Sequence, residues 1–209
     1  MSVPIRIGWF GKLPSSGDFL ARRVAPTVRA RLDEWLQACL LASRAELEDA
    51  WLDAFLTAPI WRFVLHGEAE GGGALAGLMM PSVDKVGRYF PFLVMVEFDG
   101  SLGERTLATA DAFLTEIEPD ALRALEDGFD TDAFDHALAA KLRSVRPAAP
   151  TISELLDAGG EDRRGSTLWW TEGTERRPAA FLRYDDMPPP ERFASFLRDA
   201  PAEGGAAGS

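Results

Sequence analysis

Several charged side chains stand within or beside segments that are otherwise apolar, and such side chains are the first candidates for binding or catalysis. They are Lys12, Asp18, Arg62, Asp84, Lys85 and Arg88. Two of these segments have the composition of loops, residues 12–18 and residues 84–88. One hypothesis pairs Asp84 with Arg88 across a connection in which Gly87 takes a positive φ. The other hypothesis is that the two loops together form a recognition surface.

The segment 11–18, with the sequence GKLPSSGD, contains the residue types of a phosphate-binding loop in the wrong order. A Walker loop has its lysine directly after the last glycine, at the start of a helix, so that the amine meets the terminal phosphates. Here Asp18 holds that position, and its negative charge would repel a phosphate. We therefore interpret the segment as a structural turn, in which Ser16 or Asp18 bonds nearby backbone amides.

The common catalytic and metal-binding patterns are missing from the sequence. There is no Gly-x-Ser-x-Gly elbow, and the two histidines, His66 and His136, lie on different predicted elements. His66 is expected at the surface or half-buried, and His136 is expected to face water. Two histidines and one cysteine are too few for a zinc site, and no spacing of Asp and Glu singles out a set of ligands. We expect no catalytic residue, no metal site and no cofactor.

The elements that carry these residues are predicted from hydrophobic periodicity. Residues 5–11 are typical of a strand that leads into the first loop. Pro26 begins a helix with one apolar stripe. The stripe comprises Val28, Leu32, Trp35, Leu36, Cys39 and Leu40. Because Cys39 lies in it, we interpret this cysteine as a small core residue. Residues 43–46 have capping-box spacing, so a second helix, or a kinked continuation, should end before Pro59.

The period changes to that of strands between residues 60 and 98. In residues 60–66 bulky apolar side chains alternate with others, which predicts a strand with one well-buried face. Residues 74–80 are predicted to return as the next strand. Residues 88–98 are almost continuously apolar, so both faces of this strand should be covered, with Pro91 near its start or at a bulge. Helices must therefore pack on both sides of the sheet.

The remainder alternates helical and strand patterns. Shorter helices are predicted over residues 107–117, 122–125 and 134–142, with one more at 152–156. Residues 166–171 and 179–184 are predicted to form a hairpin, and whether it joins the main sheet stays open. A last helix carries Phe193, Phe196 and Leu197, and residues 201–209 are predicted to be a flexible tail. The fold class is α/β: one domain over residues 1–200, a three-layer α-β-α sandwich with a mixed, mainly antiparallel sheet.

The charge is unevenly distributed along the chain of 209 residues, whose net charge is −11. Residues 99–162 hold 15 acidic and 5 basic groups. Such a surface repels a phosphate backbone, so we expect no nucleic-acid partner. The acidic block is typical of solvated helices that keep the protein soluble, and it is compatible with an arginine-bearing protein partner. The sequence shows neither a membrane span nor a signal peptide, so a cytoplasmic location and no membrane insertion are expected.

Three blocks of this sequence resemble the signature blocks of the type VI secretion-associated family TagF, also called ImpM. They are GWFGKLPSSGDF at residues 8–19, PIWRF at 59–63 and MPSVDKVGRYFP at 80–91. Trp35 and Leu36, which lie between the first two blocks, also match the family. Residues 166–170 are similar to a weaker C-terminal feature of the family. The resemblance covers about the first hundred residues closely.

The resemblance implies a three-layer α-β-α fold and a regulator rather than an enzyme. Members of this family are post-translational repressors of type VI secretion that act through a forkhead-associated-domain protein of the same apparatus. We therefore take the charged residues of the resembling blocks as candidates for partner binding. They are Lys12, Asp18, Arg62, Asp84 and Arg88.

Two alternatives remain open. The first is a small-ligand sensor or an enzyme with a pocket at the loops 12–18 and 82–88, in which Asp18, Asp84 and Arg88 converge. The second is a purely structural subunit of the basal secretion apparatus.

Overall fold

A seven-stranded sheet forms the centre of the protein. The computed structural model describes residues 4–69, 72–98, 104–126, 128–144, 165–174 and 177–198. The strands are β1 (Pro4–Gly11), β2 (Leu20–Arg22), β3 (Trp61–Leu65), β4 (Leu75–Met80), β5 (Phe92–Phe98), β6 (Thr167–Thr171) and β7 (Ala180–Tyr184). Their order is β2-β1-β5-β4-β3-β6-β7. Every pairing among them is antiparallel, so the predicted mainly antiparallel sheet is antiparallel throughout these strands.

Helices cover both faces of the sheet and complete three layers. They are α1 (Pro26–Leu47), α2 (Trp51–Leu56), α3 (Glu104–Arg123), α4 (Thr131–Ser144) and α5 (Phe193–Leu197). The helices α1, α2 and α5 pack on one face. The helices α3 and α4 pack on the other. The predicted α-β-α class is therefore confirmed. The single domain over 1–200 stays a prediction, and the predicted helix at 152–156 and tail at 201–209 lie outside the described residues.

Two apolar cores, one on each face, hold the layers together. Adjacent strand residues point to opposite faces, so Trp9 packs toward α3 and α4 while Phe10 packs toward α1. Phe63 and Trp169 belong to the core beneath α1, with ring centroids 5.0 Å apart. Full burial of one such ring contributes roughly 2 kcal/mol. The two cores therefore cover both faces of the sheet, as the hydrophobic periodicity predicts.

The central strands β3, β4 and β5 are buried at every position. For β5 this confirms the prediction that both faces are covered, and the strand starts at Phe92, directly after Pro91, which cannot donate to a ladder. For β3 the prediction of one well-buried face is wrong, because α3 covers the second face and buries Arg62 and Val64 there.

The hairpin of β6 and β7 joins the main sheet, which the sequence left open. Strand β6 pairs with β3, with Phe63 opposite Trp169 and Leu65 opposite Thr167. Strand β7 then forms the sheet edge beyond β6. The last strands therefore extend a sheet whose other edge, β2, comes from the first residues of the chain.

The predicted stripe of α1 is buried along its length, Cys39 included. Ser43, however, caps no second helix, because α1 continues through it to Leu47. The Ser43 hydroxyl donates to the Leu40 carbonyl and accepts from the Trp51 indole. A 3-10 turn at Glu48–Ala50 and then α2 form the kinked continuation, which ends before Pro59 as predicted.

The helix α3 is longer than the periodicity predicts. One helix runs through Pro119 and carries apolar residues that the sequence assigned to two shorter helices. A proline inside a helix costs about 3 kcal/mol. Burial of Ile117 and Ala121 on both sides of Pro119 against the sheet offsets this cost. Among the described residues, none of the helices combines the length and apolar character needed to cross a membrane.

Candidate functional site

Two hairpin connections lie side by side at one end of the sheet, and we call them the paired loops, residues 12–19 and 81–91. The first joins β1 to β2, and the second joins β4 to β5. Because Gly11 lies opposite Phe92 in the β1–β5 ladder, both loops leave the sheet together. Gly11 has φ 139°, and a Cβ there would lie 2.3 Å from the Pro91 carbonyl oxygen. Only glycine permits this close approach.

Hydrogen bonds to backbone carbonyl oxygens join the paired loops into one unit. The Ser82 hydroxyl donates to the Lys12 carbonyl oxygen at 2.6 Å. The Lys85 amide donates to the Ser16 carbonyl oxygen at 3.0 Å. Within the second loop, the Phe90 amide donates to the Ser82 carbonyl oxygen at 3.1 Å. The conformation of each loop therefore depends on the other.

The Asp84 carboxylate is the centre of this unit and is buried. Its Oδ1 accepts from the amides of Val86 at 3.0 Å and Arg88 at 2.8 Å. Its Oδ2 accepts from Lys12 Nζ at 2.9 Å and from Arg88 Nε at 2.7 Å. Burial by itself would raise the pKa of Asp84, but the bonds from Arg88, Lys12 and Val86 outweigh it and hold the pKa well below its usual range. Asp84 therefore stays ionised.

Lys12 is buried beside Asp84, with a side chain only 8% exposed. A buried ammonium is strongly destabilising without a partner, so the two charges require each other. The Lys12 Nζ also lies 5.3 Å from the centroid of the Phe19 ring. The pair thus connects the buried centre of the paired loops to a side chain at their surface.

The outer surface of the paired loops combines apolar and charged groups. Phe19 is 51% exposed and Val86 is 66% exposed. Phe19 rests edge-on against Phe90, with centroids 4.7 Å apart. The Arg88 guanidinium donates to the Gly17 carbonyl while its side chain remains 57% exposed. Large apolar side chains held in solvent on an ordered support are typical of binding surfaces.

The structure brings three of the five predicted candidates into one network, Lys12, Asp84 and Arg88. The predicted Asp84–Arg88 ion pair is confirmed, and Gly87 has the expected positive φ of 85°. Asp18 is exposed at the rim of the first loop, where its amide donates to the Ser16 hydroxyl at 3.1 Å. The interpretation of residues 11–18 as a structural turn is therefore confirmed.

Arg62 lies elsewhere, in β3, three strands from β1 in the sheet order. It donates to Asp111 at 3.0 Å, Glu118 at 3.0 Å and Glu172 at 2.8 Å. Burial lowers the pKa of Arg62, but the hydrogen bond to Glu118 and the charges of Glu118, Asp111 and Glu172 raise it by more. Arg62 therefore belongs to a separate network that ties β3 to α3 and to the residue after β6.

A second buried carboxylate, Asp135, has a hydrogen-bond network that the sequence did not predict. The network includes Trp9, which lies in the first block that resembles the TagF family. The buried Asp135 of α4 accepts from the Trp9 indole at 2.7 Å and from Arg23 at 2.9 Å. Burial raises the pKa of Asp135, but the Arg23 and Trp9 hydrogen bonds and the charges of Arg23 and Arg22 lower it by more. Because Asp135 lies 126 residues from Trp9, no local pattern points to it.

The two histidines differ in their exposure to solvent. His136 is exposed, as predicted. His66 is buried, which corrects the expectation of a surface or half-buried residue, because its backbone pairs with residues 165 and 166 at the entry to β6. Within the described residues there is no group of three or more His, Cys, Asp or Glu side chains arranged to hold a metal ion.

The side chains of Asp18, Asp84 and Arg88 do not converge on a pocket. Asp84 lies buried with its oxygens occupied, and Asp18 lies at the rim. An open groove of about 560 Å³ lies instead between the second loop and the junction of α1 with α2. It is lined by Arg44, Trp51, Leu52, Gly87, Arg88 and Tyr89. No pattern in the sequence indicates this groove, because two of its sides come from helices whose periodicity predicts only core packing.

The fold and site define a class of protein: a three-layer α-β-α sandwich that presents two joined hairpin loops at one end of an antiparallel sheet. The family model of the TagF N-terminal domain, type VI secretion system-associated, matches residues 8–141. This is more than half of the chain, and the chain belongs to that family. It is therefore a type VI secretion system-associated protein, and the match includes both paired loops.

A solved structure extends the similarity to the whole fold. The chain is similar to PA0076 from Pseudomonas aeruginosa PAO1, known from a crystal structure, with a TM-score of 0.80 and 33% sequence identity over 98% of each chain. No curated protein matches the sequence. The similarity to PA0076 includes the β6–β7 hairpin, which lies beyond the residues matched by the family model.

Proposed function

We propose that this chain is a non-enzymatic, cytoplasmic regulator of type VI secretion that represses the system post-translationally. It does so by binding a forkhead-associated-domain component of the apparatus and withholding it from assembly. Membership in the TagF family supports the association with secretion. Repression by binding needs no chemical step, because a bound component is removed from assembly by mass action.

The observation that carries this proposal is the pair of exposed apolar side chains on a tightly supported surface. Phe19 and Val86 project from loops that the Lys12–Asp84 pair and three cross-loop hydrogen bonds hold together. A pre-ordered surface loses little conformational entropy when it binds, so more of the contact energy appears as affinity. The paired loops therefore suit protein binding.

The hydrogen bonding of Asp84 supports binding over catalysis at this site. A general base must accept a proton from its substrate, and it needs an available oxygen within reach of that proton. Both oxygens of Asp84 already accept two bonds each. Asp84 is thus a structural carboxylate, which disfavours an enzyme or ligand sensor built on it.

The test replaces the two apolar side chains with small polar ones. Phe19 is already half covered and Val86 about one-third covered, so burying the rest in a complex contributes about 2 kcal/mol, roughly 30-fold in Kd. The Phe19→Ser/Val86→Ser variant should bind the purified forkhead-associated component correspondingly more weakly, measured by calorimetry. In a deletion strain this variant should fail to restore repression of secretion.

Phe181→Ser is the matched control, because Phe181 is 61% exposed on β7, at the opposite part of the sheet. It should bind and repress like the wild type. Equal binding by all three proteins would show that the paired loops are the wrong surface. A wild-type protein that fails to bind the component, or that fractionates permanently with assembled particles, would contradict the repressor proposal itself.

A further inference from the structure

The open groove beside the paired loops has a cationic lining in a protein of net charge −11. Arg44 and Arg88 contribute its charge, and none of the lining residues is acidic. The adjacent Asp84 is buried and paired with both Lys12 and Arg88, so this cluster of one carboxylate and two cations keeps one net positive charge. The acidic residues near Arg44, Trp51 and Leu52 along the chain are Glu46, Glu48, Asp49 and Asp53, and none of them is among the residues that line the groove.

Both guanidinium groups are held in place. The Arg44 guanidinium carbon lies 4.2 Å from the centroid of the Trp51 ring. No carboxylate in the described part of the chain lies within ion-pair distance of Arg44. Arg88 is held by Asp84 and the Gly17 carbonyl, yet more than half of its side chain faces solvent. An ordered guanidinium with open donor positions is suited to bind a carboxylate through two parallel bonds.

The base of the groove is aromatic and rigid. Trp51 stacks on Phe55 with centroids 4.9 Å apart, and the Tyr89 ring meets Trp51 edge-on at 5.9 Å. Leu52 is 42% exposed at the side of the groove, and Val86 projects beside Gly87. The surface therefore offers apolar contacts next to two fixed positive charges.

We propose that this groove is the docking site for an acidic peptide segment of a protein partner, in which carboxylates meet Arg44 and Arg88 and an apolar side chain packs on Leu52 and Tyr89. The complementarity of charge selects the occupant, because the groove is a cationic site on an otherwise acidic protein. The inference rests on the proposed function and adds the chemistry of the partner to it.

The test uses a fluorescein-labelled acidic hexapeptide of four glutamates, one leucine and one phenylalanine, with a lysine version of the same peptide as the charge control. Fluorescence anisotropy should detect binding of the acidic peptide only. Arg44→Glu should weaken this binding tenfold or more, because it places a negative charge where a carboxylate must sit.

Arg29→Glu is the matched control variant. Arg29 is exposed on the same helix, about 22 Å from Arg44 along its axis. Both variants change the net charge equally, so a general electrostatic effect would weaken both alike. We expect the Arg29→Glu Kd to stay within twofold of wild type. Equal losses in the two variants, or none in either, would overturn the proposal.

Two further measurements separate the docking site from the proposed function. If Arg44→Glu still binds the forkhead-associated component while Phe19→Ser/Val86→Ser does not, the repressor proposal stands and the groove assignment is overturned. If the acidic peptide binds through Arg44 but the component does not bind wild type, the groove stands and the component is the wrong partner. If light scattering instead shows a dimer that Arg44→Glu dissociates, the groove binds a second copy of this chain. That result would overturn the assignment of the groove to a segment of a partner protein.

Discussion

Asp84 and Arg62 are both buried charged residues that hydrogen-bond to groups of opposite charge or polarity, and their own charges have opposite signs. Asp84 is a carboxylate that accepts bonds from two cations and two backbone amides. Arg62 is a cation that donates to three carboxylates. Both stand in or beside apolar segments, and from the sequence both were candidates for partner binding.

The location of their partners separates the two. The partners of Asp84 belong to the paired loops, so its network orders a surface without touching a helix. The partners of Arg62 lie on α3 and after β6, so its network ties a helix to the sheet. A charged residue in an apolar segment therefore predicts a polar network, whereas the elements that the network joins decide whether it supports a surface or the fold.

The largest expected effect is on the Arg62 network. Arg62→Ala leaves Asp111, Glu118 and Glu172 facing one another without their cation, and it should lower the free energy of unfolding by about 3 kcal/mol. Urea denaturation measures the change as a lower midpoint. Arg198→Ala is the control, because the exposed Arg198–Glu46 pair contributes at most about 1 kcal/mol. Equal losses of unfolding free energy in the two variants would show that the Arg62 network does not hold α3 to the sheet.

A smaller and local effect is expected at Asp84. Asp84→Asn removes the charge that Lys12 requires and places an amide donor opposite an ammonium donor. Because the network lies within the paired loops, amide hydrogen exchange of Val86 and Arg88 should accelerate roughly tenfold, while β4 and β5 keep their protection. Lys12→Met/Asp84→Asn should recover part of the protection. A uniform loss across the sheet would show that Asp84 also supports the layers.

The smallest effect is the acid dependence of stability. The folded pKa of Asp84 lies below that of the unfolded chain, so its bonds stabilise the fold above about pH 4 and are lost as pH falls further. Wild type should thus lose stability more steeply between about pH 4 and pH 2 than Asp84→Asn, as urea midpoints measured at several pH values would show. Asp18→Asn, which changes an exposed carboxylate of the neighbouring loop, should follow the wild type. Identical slopes in all three proteins would contradict the role of Asp84.

Most of the fold was predictable because each element has a local signature. The stripe behind Pro26, the almost continuous apolar run before Phe98 and the glycine turn at Gly87 each occupy a short stretch of chain, and the structure confirms what they predict. The predicted ends of helices were wrong where burial of apolar side chains outweighed a local capping or proline signal. Helix α1 passes the capping-box spacing at Ser43, and α3 passes Pro119.

The candidate site was predictable only in part. The Asp84–Arg88 pair spans four residues around a glycine turn, so spacing alone indicated it. The Lys12–Asp84 pair joins positions 72 residues apart, and the contacts of Arg62 reach across 49, 56 and 110 residues. Nothing in the spacing of one sequence relates such positions.

The amino-acid sequence by itself determined the layers, the burial of both faces of β5, the local ion pair and the family. Only the tertiary structure decided which distant charges meet, that Arg62 supports the fold, and that Arg44 and Arg88 border one groove. The physical reason is that periodicity records how each short segment is buried. The register between strands and the packing of helices on the sheet, which follow from the whole set of buried contacts, bring the distant groups together.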